Sequence, residues 1–166
     1  MIKSATISPD GKSRYTLARV WDRSKPPLLF IMLNPSTADE NTDDATIRKC
    51  IGFAQRMQFG SILVVNLFAF RARDPDDLKV AGFPLDYVNN SVIKEAVFET
   101  MEYEGSICCA WGTKARWPKV ADRARNVLAM LRELGVKPKA LRVLHDGIPS
   151  HPLMLSYTNT LKDFPC

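Results

Sequence analysis

The sequence predicts an α/β fold. We expect three layers: a mostly parallel central sheet of about four strands, flanked by helices, with a β-hairpin at the N-terminus. Three observations predict it. Short continuous apolar runs of strand length recur along the chain, segments of helical periodicity alternate with them, and a Pro-Asp-Gly turn joins two β-prone runs near the start. The 166 residues suit a single domain covering 1–166. A chain of this length buries a sizeable core without staples.

The elements follow in order. "SATISPDGKSRYTLARVWD" reads as the hairpin, turning at Pro9-Asp10-Gly11. After Pro26-Pro27, "LLFIML" is a strand covered on both faces. In "ATIRKCIGFAQRMQFG", Ile47, Cys50, Ile51 and Ala54 keep helical spacing; Asp43 or Asp44 caps the start and Gly60 ends it. "SILVVNLFAF" is a second buried strand, "NNSVIKEAVFETMEYEG" a helix and "SICCAWG" a third strand. "WPKVADRARNVLAMLRELGV" is the clearest helix. Pro118 fits its first turn, Gly135 sits near its end, and Val120, Ala124, Val127, Leu128, Leu131 and Leu134 line one face. "ALRVLHDG" is the fourth strand.

Composition narrows the function classes. The formal net charge of +5 permits an anionic partner, DNA or a nucleotide, without demanding one. Four cysteines, Cys50, Cys108, Cys109 and Cys166, form no C-x-x-C pair, and only two histidines accompany them. Buried reduced thiols in a cytoplasmic protein fit better than metal ligation; no metal and no cofactor is expected. No apolar run approaches the ~20 residues of a membrane helix. Nothing in the pattern specifies an oligomeric state.

In a parallel sheet, ligands bind beyond the carboxyl ends of the strands, which selects four loops. At the first, Pro35 ends the ladder and restrains Asn34 to an extended shape at the rim, with Ser36 and Thr37 beside it. A plain turn explains the same residues. Asn66 interrupts an apolar run between "ILVV" and "LFAF", so its amide either pairs with neighbouring backbone or reads a planar ligand edge. Phe68 and Phe70 stack on such a ligand or fill the core. Trp111-Gly112 ends the third strand, where glycine permits close backbone approach. His151 stands on the fourth loop, as an acid, base or donor or simply as a solvated residue. Leu153, Met154, Leu155 and Ser156 follow it.

In order, "LNPS", "VVNL", "AWGTKA" and "HPLMLS" resemble the signature stretches of the uracil-DNA glycosylase superfamily. The resemblance implies a uracil-DNA-glycosylase-like fold. Asn34 then holds the hydrolytic water, in the Asn-Pro form of the mismatch-specific branch. Asn66 reads the base edge, His151 contacts the base carbonyl and Leu155 wedges into the DNA stack. More closely, "MLNPSTAD…DDATIRKCIGFA…VVNLFAFRARDP" resembles the bacterial family catalogued as domain of unknown function 1643, over nearly the whole chain.

The chain also departs from the superfamily. No Asp stands at the water-activating position, Ser36-Thr37 replaces a glycine-rich turn, Met154 replaces a proline, and His151 lies several residues beyond its strand. Asp39, Glu40, Asp43 and Asp44 form an acidic run that repels phosphate. Its plain role is a solvated loop with helix capping; Asp39 and Asp44 are the carboxylates best placed to assist a water.

Three functions follow. The first is hydrolysis of an N-glycosidic bond of a base in DNA or in a nucleotide, with Asn34 and His151 catalytic. Asn66, Phe68, Phe70, Ser36 and Thr37 bind the base, while Leu153, Met154, Leu155, Ser156, Lys114 and Arg116 contact DNA. Arg71 and Arg73 are further phosphate contacts. The second is a non-catalytic module binding a nucleobase, a nucleotide or nucleic acid. The third is a metal-dependent hydrolase using the acidic run.

Overall fold

The computed structural model describes residues 1–165, so Cys166 lies outside the described residues. Strand β1 (Ile2–Ile7) pairs antiparallel with β2 (Arg14–Val20) across the expected turn. The hairpin is not an appendage: β2 also pairs antiparallel with β4 (Ser61–Asn66). Next to β4 lies β3 (Pro27–Met32), parallel to it and to β5 (Ser106–Cys109). β6 (Lys139–Ala140) runs parallel to β5, and β7 (Lys162–Asp163) closes the far edge antiparallel to β6. The sheet therefore has seven strands and is mixed, in the order β1-β2-β4-β3-β5-β6-β7, rather than the expected four or so. The expectation undercounted because hairpin strands join the sheet and β7, two residues long, has no periodicity to read.

Helices cover both faces, and strand alternation divides the core between them. Leu28, Phe30 and Met32 of β3 face α1 (Ala45–Arg56) with its Ile47, Cys50, Ile51 and Ala54. Leu29 and Ile31 face the opposite core, shared with α2 (Pro75–Val80), α3 (Tyr87–Glu102) and α4 (Pro118–Glu133). Each fully buried side chain of this size contributes about 1.5–3 kcal/mol. In α4 the expected stripe holds: Val120, Ala124, Val127 and Leu131 are buried, with Leu128 and Leu134 packed beside them. The short α2 was not anticipated, although its signal is local: Asp74 caps it, accepting from the Asp76 amide at 2.9 Å, and Pro75 opens it.

Two boundaries differ from expectation. Asp44, one of the two expected caps, starts α1, but the helix stops at Arg56 rather than near Gly60. Gly60 instead permits a close crossing, since a Cβ there would stand 1.8 Å from the Asp22 carbonyl oxygen. The fourth strand starts at Lys139 and ends at Ala140, because the chain then turns back on itself. Leu144 donates to Ile148 and Ser150 to Arg142, so these backbone groups pair within the loop rather than along the sheet. Beyond it, Tyr157 lies on α1 over Gly52, where a Cβ would meet its hydroxyl oxygen at 2.3 Å. Lys49 Nζ and Arg56 Cζ stand 4.0 and 3.8 Å from the Tyr157 ring centre.

Cys50, Cys108 and Cys109 are buried. Burial pushes the Cys108 thiol up to about 12 and raises Cys50 well above its ordinary value, which leaves both thiols unreactive. Among the described residues, no helix is long and apolar enough to cross a membrane.

Candidate functional site

β4, β3, β5 and β6 run parallel, so their carboxyl ends open on one rim. The first two strand-end loops are zipped together. Leu67 donates to Met32 at 2.8 Å, Phe68 to Leu33 at 3.0 Å and Ala72 to Pro35 at 2.9 Å. Asn34 locks the same seam: its Nδ2 donates to the carbonyls of Pro35 at 3.0 Å and Ala72 at 2.9 Å. That occupies both N–H bonds of the amide and leaves Oδ1 to accept from a ligand or water.

Asn66 ends β4 in register with Met32, which places its side chain on the α1 face. It is 1% exposed, and neither Nδ2 nor Oδ1 has a hydrogen-bond partner. Leaving such a group unmet costs about 1–3 kcal/mol. Its backbone is not neglected: the Asn66 carbonyl accepts from Asn89 Nδ2 at 3.0 Å, and the Leu67 carbonyl from Arg123 Nε at 2.7 Å. The strand end is thus held firmly from the α3 and α4 side, while the Asn66 amide on the other side remains open to a partner.

The third and fourth ends meet. Trp111 is 3% exposed and packs edge-on against Phe164. Gly112, at φ 81° and ψ −172°, adopts a conformation nearly confined to glycine. Its N–H donates to Pro149 at 3.0 Å, and a Cβ there would stand 3.0 Å from the His151 Cβ. His151 is thereby pressed onto the rim. Its Nδ1 accepts from the Leu153 amide at 3.2 Å, so in the neutral ring Nε2 carries the proton. Burial holds the His151 pKa below its ordinary 6.5, with nearby Asp44 pulling the other way.

The other expected residues are more dispersed. Ser36 is half-buried and Thr37 exposed. Asp44 is spent on the α1 cap, accepting from Ile47 N at 2.9 Å. Asp39 accepts from the amides of Asn41 and Thr42, each at 2.8 Å, which lowers its pKa. Among the described residues, no group of three or more His, Cys, Asp or Glu side chains is arranged to hold a metal ion. Phe68 is buried against Phe83, while Phe70 is half-buried and lines a separate cavity of about 380 Å³ with Tyr87 and Leu85. Lys114 lies over the Trp117 ring, and Arg116 pairs with Asp146 at 2.9 Å. Arg71 is half-buried and Arg73 exposed. Leu153 and Met154 face solvent at 39% and 90% exposure, Ser156 is exposed, and Leu155 sits in the α1-side core.

One residue escaped the sequence reading. Arg14 opens β2 and is 2% exposed. Simple alternation with Leu17 and Arg19 puts it on the opposite face. A bulge intervenes: Thr6 pairs with Thr16 but Ile7 with Arg14, so Tyr15 is an extra residue that brings Arg14 back into phase. Arg14 Nη1 donates to the Ala38 carbonyl at 2.8 Å, and Nε has no partner. Burial lowers its pKa to about 10, partly opposed by Asp44. The signal that could have revealed it, an arginine beside a strand of otherwise inward-facing residues, is legible only once the bulge is known.

The chain belongs to the family described as "Protein of unknown function (DUF1643)", whose model matches residues 14–153. No curated protein and no solved structure matches it.

Proposed function

We propose that the chain recognises a nucleobase, carried in DNA or in a nucleotide, and hydrolyses the N-glycosidic bond that holds it. The observation that carries this reading is Asn66: a buried amide at a parallel strand end, with both polar atoms unmet. An amide donates and accepts side by side, which complements the hydrogen-bonding edge of a base. In this reading Asn34 Oδ1 orients the attacking water, and neutral His151 donates from Nε2 to the charge that develops on the departing base. The four strand-end stretches that resemble the uracil-DNA glycosylase superfamily support these roles. For a base in DNA, exposed Leu153 and Met154 fill the vacated stack while Leu155 anchors them to α1. With Asn66 only 1% exposed, binding must part the rim loops.

The engagement of Asp39 and Asp44 by backbone amides favours a second reading, base recognition without chemistry. One screen separates the two. Oligonucleotides carrying uracil, hypoxanthine, xanthine, ethenocytosine or mismatched thymine, and the corresponding free nucleotides, are incubated with the protein and assayed for released base. Release that disappears in Asn34→Ala and His151→Ala supports hydrolysis. Base-dependent binding that disappears in Asn66→Leu, without release, supports the second reading. Neither release nor binding, with folded protein, sinks both.

A further inference from the structure

Two arginines of β2 are buried, and only one makes a direct ion pair. Arg19, 0% exposed, donates from Nε to Asp43 Oδ1 at 2.7 Å and from Nη2 to the Asp39 carbonyl at 2.5 Å. Its Nη1 donates to the Ala18 carbonyl at 2.8 Å. Arg14 is as deeply buried, yet it forms no ion pair within 4.0 Å among the described residues, and its Nε is unmet. Asp43 is taken by Arg19, and Asp44 and Asp39 accept from backbone amides. A buried guanidinium with no ion pair in contact, and only the more distant charges of Asp44 and Asp39 to oppose its desolvation, is costly. The Nε side of the group is also the edge that forms a bidentate fork with an oxyanion.

We propose that Arg14 is an oxyanion receptor, and that the ligand is a nucleoside monophosphate whose phosphate sits on Arg14 while Asn66 reads its base. The substrate class rests on the base-recognition reading above; the oxyanion role rests on Arg14 alone. Position supports the pairing. The Arg14 amide donates to the Ala69 carbonyl at 2.9 Å, on the loop that leaves Asn66, and the Arg14 side chain meets Ala38, in the α1-side core. Arg71, whose charge is felt at Arg14, adds a second cation; the carboxylates of Asp44 and Asp39, whose charges are also felt there, accept from backbone amides. Depth selects the ligand. An internal phosphodiester carries chain on both sides and stays at the surface; a terminal phosphate has three free oxygens and fits a receptor that is 2% exposed.

The test is calorimetric titration of the wild-type protein, Arg14→Gln and Arg14→Lys. The probes are inorganic phosphate, a panel of nucleosides, their 5′-monophosphates, and oligonucleotides with and without a 5′-phosphate. Wild-type protein should bind monophosphates roughly 10- to 100-fold tighter than the nucleosides, the range of a charge-assisted hydrogen bond. Arg14→Gln should erase that difference and Arg14→Lys restore part of it. A preference limited to 5′-phosphorylated oligonucleotides would keep the oxyanion role but move the ligand to a DNA end, overturning the mononucleotide assignment. Equal binding of nucleoside and monophosphate would overturn the proposal and leave base recognition standing. Arg14-dependent binding of inorganic phosphate with no nucleoside preference would keep the oxyanion role but overturn base recognition and, with it, the mononucleotide assignment. Thermal unfolding supplies the control: Arg14→Gln should not lower Tm, since it removes an unpaired charge. A drop as large as that of Arg19→Gln would make Arg14 a structural residue and sink the idea.

Discussion

Arg19 and Arg14 lie five positions apart on one strand and are equally hidden from water, yet their surroundings differ. Around Arg19, residues 39–43 wrap inward and satisfy the guanidinium. In return, Asp43 is held below the ordinary carboxylate range: burial raises its pKa, but the hydrogen bond and charge of Arg19, with Lys3 beside them, outweigh that. Around Arg14 a single carbonyl answers, and Nε is left over. The same contrast recurs in two asparagines. Asn89 spends its amino group on the Asn66 carbonyl and leaves only Oδ1 unmet, whereas the Asn66 amide spends neither atom. Satisfied buried polar groups hold a fold together; unsatisfied ones cost stability and mark where a ligand completes the structure. Among the described residues, Arg14 Nε and both amide atoms of Asn66 are unmet in the strand-end region, and the Oδ1 atoms of Asn89 and Asn90 are unmet on α3.

That contrast can be broken experimentally. The largest effect belongs to Arg19→Met, which strips Asp43 of its partner and should lower unfolding free energy by about 3–5 kcal/mol in urea titration. Arg14→Met should leave it unchanged or higher; an equal loss in both variants would erase the distinction. Asn66→Leu should raise stability by up to about 1–3 kcal/mol, because an unmet buried amide gives way to an apolar side chain of similar size. A loss instead would show that the amide is paired in solution. Gly112→Ala probes the rim without touching either arginine. With φ at 81° and His151 Cβ 3.0 Å away, it should cost about 1–3 kcal/mol and displace His151, seen as a changed histidine chemical shift.

The smallest effect is a pH dependence. The folded state holds His151 below its ordinary 6.5, so between that value and the depressed one the unfolded chain binds more protons. Stability is therefore full above pH 6.5 and falls as pH drops through the folded pKa. His151→Gln should flatten that slope. The contribution of Asp43, also depressed, is present above its ordinary 3.8 and lost below it, so the two windows do not overlap at their upper ends.

What could be read from the chain was whatever repeats locally. The β3 run and the α4 stripe announce themselves within a dozen residues, and their faces are those expected. Asn66 was legible as a candidate because an amide inside an apolar run is an anomaly with few resolutions. Leu155 was harder to place: the motif carries it with Leu153 and Met154, but contact with α1 draws it into the core and leaves the other two outside. The short β6 and β7 were not legible as they stand, because two-residue strands are defined by their partners rather than by their own pattern.

By itself the sequence determined the α/β class, three of the parallel strand ends and the presence on that rim of Asn34, Asn66, Gly112 and His151. Hydrophobic periodicity and turn chemistry act over neighbouring residues and need no tertiary partner to be read. Only the tertiary structure decided which polar groups are met. The bulge at Tyr15 turns Arg14 inward, the wrap of residues 39–43 chooses Arg19 over Arg14, and the zipped loops occupy the amino group of Asn34. Hydrogen-bond satisfaction depends on atoms brought together from distant parts of the chain, at distances that no spacing along the sequence encodes.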